Sequence, residues 1–102
     1  MIKKQNLSSI ADKCLKAMYN AYQVEHIDHF DMNFFRNIFP GQNDNHITDA
    51  LLLLKSNGYA SVFIADSTAY MTTILPNGIK HIESNSLFSK IYKFIKEIVS
   101  WF

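Results

Sequence analysis

The hydrophobic periodicity of this chain changes from helical to strand-like at Gly58 and returns to helical after Pro76, and the first change limits the folds open to it. Before Gly58, apolar residues recur at helical spacing in three segments. After it come two short runs rich in β-branched and aromatic residues. Ser9 followed by Asp12 resembles a capping box, so a first helix is expected to begin near Ile10. On its wheel Ile10, Ala11, Cys14, Leu15, Ala17, Met18, Ala21 and Tyr22 share one side, opposite Asp12, Lys13, Lys16, Asn20 and Gln23. Asp31 can cap a short second helix through Phe34, Phe35 and Ile38, stopped by Pro40-Gly41. A third helix, capped by Asp44 or Asn45, carries the stripe Ile47, Ala50, Leu51 and Leu54 and ends at Gly58.

The runs Tyr59 to Ala65 and Ala69 to Leu75, around Asp66-Ser67-Thr68, read as a β-hairpin that Pro76-Asn77-Gly78 ends. Ile79 to Glu83 has room for one or two helical turns, and Ser86 can cap a last helix. Three helices, a hairpin and further helix form the order of a winged helix. The expected class is therefore α+β, with a three-helix core, a two-stranded β wing and an extra C-terminal helix. A chain of 102 residues holds one such domain, 1–102. The core is expected to join Ile10, Leu15, Met18, Phe34, Ile38, Leu51, Leu54, Val62, Ile64 and Ile74.

Three stretches carry a family resemblance. Leu51-x-x-Leu54-x-x-x-Gly58-Tyr59 is how a winged-helix third helix runs into its first wing strand. Ile74-Leu75-Pro76-Asn77-Gly78-Ile79-Lys80-His81-Ile82-Glu83 is similar to the exit from the second. The ending, with its Ser89-Lys90-x-Tyr92-Lys93-x-Ile95-Lys96-Glu97-Ile98-x-x-Trp101 order, resembles the tail of the YjcQ-like proteins of Gram-positive bacteria and their phages. The match is best over residues 47–102. The resemblance implies the winged-helix fold and no particular activity.

Side chains suited to chemistry are scattered. Glu25, His26, Asp28, His29 and Asp31 form the densest group of ligand types, but they lack the H-E-x-x-H order and read as a solvated connection between helices. Cys14, the one cysteine, falls on the apolar side of the first helix, which excludes an intrachain disulfide and fits an inert thiol in a cytoplasmic protein. His46 and His81 have no recognisable catalytic partners. Gly41, Gly58 and Gly78 are isolated, so no phosphate loop can be drawn. The expectation is a non-enzymatic protein with no cofactor, no metal and no membrane span.

Net charge is +1, distributed as +3 over residues 1–16, −4 over 17–79 and +2 over 80–102. The ends are basic and the middle acidic. In DNA-binding relatives of this fold the third helix enters the major groove and the wing touches phosphate. Candidate DNA contacts are thus Asn43, Asn45, His46, Thr48, Asp49 and Lys55 on or beside that helix, with Lys13 and Lys16 on the first. Yet its outward face, His46, Asp49, Leu52, Leu53 and Ser56, has only Lys55 at its flank, and the wing tip has no cation. Phosphate neutralisation supplies most non-specific DNA affinity. The fold points to a DNA-binding transcriptional regulator of bacterial or prophage origin. The residues point to the alternative, a protein–protein interaction module on the same fold.

The segment 86–102 reads as an amphipathic helix whose apolar side covers an arc of roughly 180°. One domain surface seldom buries so wide a face. The expected outcome is a homodimer, with Phe88, Tyr92, Phe94, Ile95, Val99, Trp101 and Phe102 at the interface, ahead of packing within the chain and, last, of lying on a membrane surface.

Overall fold

The structure, a computed structural model, describes residues 6–84. Helix α1 runs Leu7–Glu25, strand β1 His29–Asp31, α2 Met32–Ile38 and α3 Asp44–Ser56. Strands β2, Ala60–Ala65, and β3, Thr68–Ile74, form the hairpin, and α4, Pro76–Ser84, follows. The described chain is α+β, with four helices and one antiparallel sheet in the order β1-β3-β2. The expected helix over 86–102 and its interface residues lie outside the described residues.

Local chemistry sets the helix ends. The Asn6 side chain accepts the amide of Ser9 at 2.8 Å, so α1 starts at Leu7 and not near Ile10. Ser9, the expected cap, is already inside the first turn. Likewise Asn43, and neither Asp44 nor Asn45, caps α3 by accepting the amide of His46 at 2.9 Å. Asp31 caps α2 as expected. Gly58, at φ +78°, supplies the left-handed turn after α3. Pro76 ends the hairpin and also opens α4, where its missing amide costs no helix hydrogen bond. The result is nine residues of helix, more than the span Ile79 to Glu83 suggests.

The hairpin is not a two-stranded unit, because β1 pairs with β3 as well, matching His29 with Thr73 and Asp31 with Met71. His26, left-handed at φ 58°, turns the chain out of α1, and the Asp28 carbonyl accepts the amide of Ile74 at 2.9 Å. The stretch expected to be a connection is thus partly a strand. At the hairpin tip Asp66 and Ser67 both have positive φ, the signature of a two-residue type I′ turn.

The core joins the inner faces of α1, α2, α3 and the sheet. Ile10, Leu15, Met18, Leu51, Leu54, Val62 and Ile74 are buried in it, as expected. Phe34 and Ile38 are only half-buried, because Met32 and Phe35 take the inner positions of α2 and Phe39, its C-cap, follows them into the core. Ile64 is 40% exposed, a departure from the expected core, and lies where the ladder loses register. Phe63 pairs with Met71 but Ile64 pairs with Ala69, so Tyr70 bulges out of β3 with no opposite residue.

Two contacts lock the layers. Tyr19, missed on the wheel, is buried and donates its hydroxyl to Glu83 at 2.8 Å, tying α4 to α1. Gly78 is buried where a Cβ would collide with the Tyr59 carbonyl, so α4 reaches its seat only with glycine there.

Candidate interaction surface

Helix α3 buries Ile47, Ala50, Leu51 and Leu54, which leaves Asn45, Asp49, Leu52 and Ser56 as a stripe along its outer side, with Lys55 beside it. Leu52 is 36% exposed near the middle of this stripe. Leu53, grouped with it from the sequence, instead packs against the core.

Two of the sequence candidates have structural duties. Thr48 is 4% exposed, and its hydroxyl accepts the amide of Ala69 at 3.0 Å. The slip in register opens the ladder at Ala69, and Thr48 satisfies the amide there. That pins α3 to β3 and removes Thr48 from any surface a nucleic acid can reach. Asn43 uses its side-chain oxygen in the α3 cap. Asn45, Asp49 and Lys55 are exposed and His46 half-buried, so these remain at or near the surface.

The cations are not gathered. Lys13 and Lys16 lie on the outer side of α1, and Lys16 pairs with Asp12 at 2.8 Å. Helices α1 and α3 pack through their buried sides, and Asp12, the partner of Lys16, lines a shallow cleft together with Leu53 and Asn57 at the end of α3. Arg36, exposed on α2, is forked onto Asp44, with Nε donating at 3.0 Å, and also donates to Asn33 at 2.7 Å. The hydrogen bonds from the guanidinium, foremost, hold the Asp44 carboxyl below its ordinary range. This clamp joins α2 to the start of α3 and leaves the guanidinium already satisfied by carboxylate.

The hairpin shows what the helices do not. Phe63 is 63% exposed and Tyr70 62%, their rings edge-to-face with centroids 6.1 Å apart, and Ile64 adjoins them. Asp66 and Ser67 form the tip itself, and the chain from Phe63 to Tyr70 has no lysine or arginine. Exposed aromatic pairs of this size are surface the fold itself does not explain. The outward direction of Phe63 follows from the alternation with buried Val62. Tyr70 gives no such signal, because its outward turn depends on the bulge.

The side chains suited to chemistry stay apart. His29 pairs with Asp28 at 2.9 Å, and His81 stacks on Tyr59 with centroids 4.4 Å apart. Burial of Cys14 pushes its thiol up to about 12, which keeps it protonated and out of contact with solvent reagents. Among the described residues no three His, Cys, Asp or Glu side chains converge as metal ligands, and no helix is long and apolar enough to cross a membrane. No protein-family model, curated protein or solved structure compared with the chain matches it.

Proposed function

We propose that the chain is a non-enzymatic winged helix of YjcQ-like type that binds another protein through the outer stripe of α3 and the aromatic side of its wing. In this reading α2 and α3 are the helix-turn-helix pair, and β2 and β3 are the wing, with β1 completing the sheet. The observation that carries it is the composition of the two elements that would contact DNA. They expose Leu52, Phe63, Ile64 and Tyr70, together with Asp49 and Asp66, against the single cation Lys55. Aromatic anchors with few charges are the composition of a protein interface core. Phosphate binding needs the opposite.

The reading extends to a homodimer in the cytoplasm. The apolar residues that recur at helical spacing in the sequence of 86–102 support the dimer, and the single cysteine fits a reducing compartment. A DNA-binding regulator is the second reading, supported by the exposed lysines of α1 and by the fold's usual role.

A comparison of baits tests the first reading. The full chain and the variants Leu52→Asp, Phe63→Glu and Lys13→Ala/Lys16→Ala are used side by side on host extract treated with nuclease. A discrete protein retained by the parent and by the lysine variant, and lost with the other two, is the expected result. Retention that depends on Lys13 and Lys16, or that disappears with nuclease, contradicts it.

A further inference from the structure

At the far end of α1 the molecule carries a second surface, separate from the α3 stripe. A groove of about 440 Å³ opens between the last turns of α1, strand β1 and the start of α2. Ala21, Ile27, Phe30, Phe34 and Met71 line it with apolar surface, and Glu25, Asp31 and His29, whose ring lies 2.9 Å from the Asp28 carboxylate, line it with polar groups. Asp28 lies next to it in the chain, and Val24, one residue from Glu25, is 70% exposed. The groove is therefore apolar within and acidic around.

The complementary composition is in this same sequence. Residues 85–102 hold Leu87, Phe88, Ile91, Ile95 and Trp101 among their apolar residues, with Lys90, Lys93 and Lys96 between them. An acidic middle and basic ends within one chain are a pattern that self-recognition can use.

We propose that this groove receives residues 85–102 of a second copy of the chain, so that two copies exchange their tails reciprocally. The proposal rests on the homodimer reading above and adds to it the receiving site. Charge complementarity is the first argument. The place where the described chain ends is the second. Glu83 is held by Tyr19, which puts the end of α4 on one flank of α1. Ala21 and Glu25 lie roughly 120–160° around the helix from Tyr19. A chain's own tail has to pass around the polar outer side of α1, with Lys16, Asn20 and Gln23, or around its C-terminal end. A second copy related by a two-fold axis presents its tail without that detour, and each copy then gives and receives one tail. Eighteen residues reach at most about 60 Å when extended, ample for such a crossing.

Isotope-mixed cross-linking tests this on the full chain. Equal amounts of ¹⁴N- and ¹⁵N-labelled protein are mixed, equilibrated and treated with a carbodiimide, which joins amine to carboxylate without a spacer. The expected products join Lys90, Lys93 or Lys96 to Glu25, Asp28 or Asp31, with about half of the linked peptide pairs carrying one light and one heavy member. Links that are isotope-pure mean that each tail folds onto its own groove and overturn the proposal. Absence of links from these lysines to these acids, with other lysine–carboxylate links present as control, overturns it as well. Neither outcome touches the binding of another protein at Leu52 and Phe63, which the bait comparison reads on a different surface.

Discussion

The helical layer and the wing use apolar residues in opposite ways. Ile47, Leu51 and Leu54 point inward and are almost wholly buried, so folding accounts for them. Phe63 and Tyr70 on the hairpin are largely exposed, and Ile64 beside them is 40% exposed, so the core does not account for them. The same residue classes thus report on two different things. The buried apolar side chains of α3 hold the domain together, whereas those exposed on the hairpin, with Leu52 on α3, are the ones on which the proposed protein interface rests. Cations give the matching contrast: Lys13, Lys16, Arg36 and Lys80 lie on α1, α2 and α4, and among the described residues α3 and the hairpin carry Lys55 alone.

The sharpest way to break this comparison is by stability. Leu51→Ala or Leu54→Ala should cost about 2–5 kcal/mol in urea unfolding, because each leaves a cavity in a fully packed site. A loss under about 1 kcal/mol at both positions would mean that the helical layer is not the core. Thr48→Val should cost less, about 1–3 kcal/mol, because it leaves the buried Ala69 amide without an acceptor. Thr48→Ser should restore most of that loss, and failure to do so would assign the effect to packing instead. The smallest effect belongs to the wing. Phe63→Ser and Tyr70→Ser should each cost no more than about 1 kcal/mol, the scale of one exposed cross-strand aromatic pair. A large loss there would make the aromatic pair part of the fold and remove it as a docking surface.

The element order was legible because three helical stripes and a β-rich pair need only the residues within each segment. Gly58 as the stop of α3 and Asp31 as the cap of α2 were legible for the same reason. What was hidden depends on residues far apart. Strand β1 is three residues long and takes its conformation from pairing with β3, so nothing within His29-Phe30-Asp31 announces it. The cap choices turned on competition between neighbours, Asn6 against Ser9 and Asn43 against Asp44, which spacing alone does not decide. Thr48 looked like an outward polar residue of α3. Its burial follows from an open amide on β3 that only the bulge creates. At the candidate surface, the poverty of cations could be read directly, and the exposure of Tyr70 could not.

The central claim is that the outer face of α3 and the wing engage protein and not nucleic acid. Titration of a random-sequence duplex with the full chain at about 50 mM salt tests it most directly, since low salt favours even weak phosphate contacts. The account predicts no mobility shift up to roughly 100 μM protein, the weak limit of ordinary non-specific binding. A shift at low micromolar protein would contradict it, above all with a log–log salt slope near about −8 and loss of binding on Asn45→Ala or Lys55→Ala.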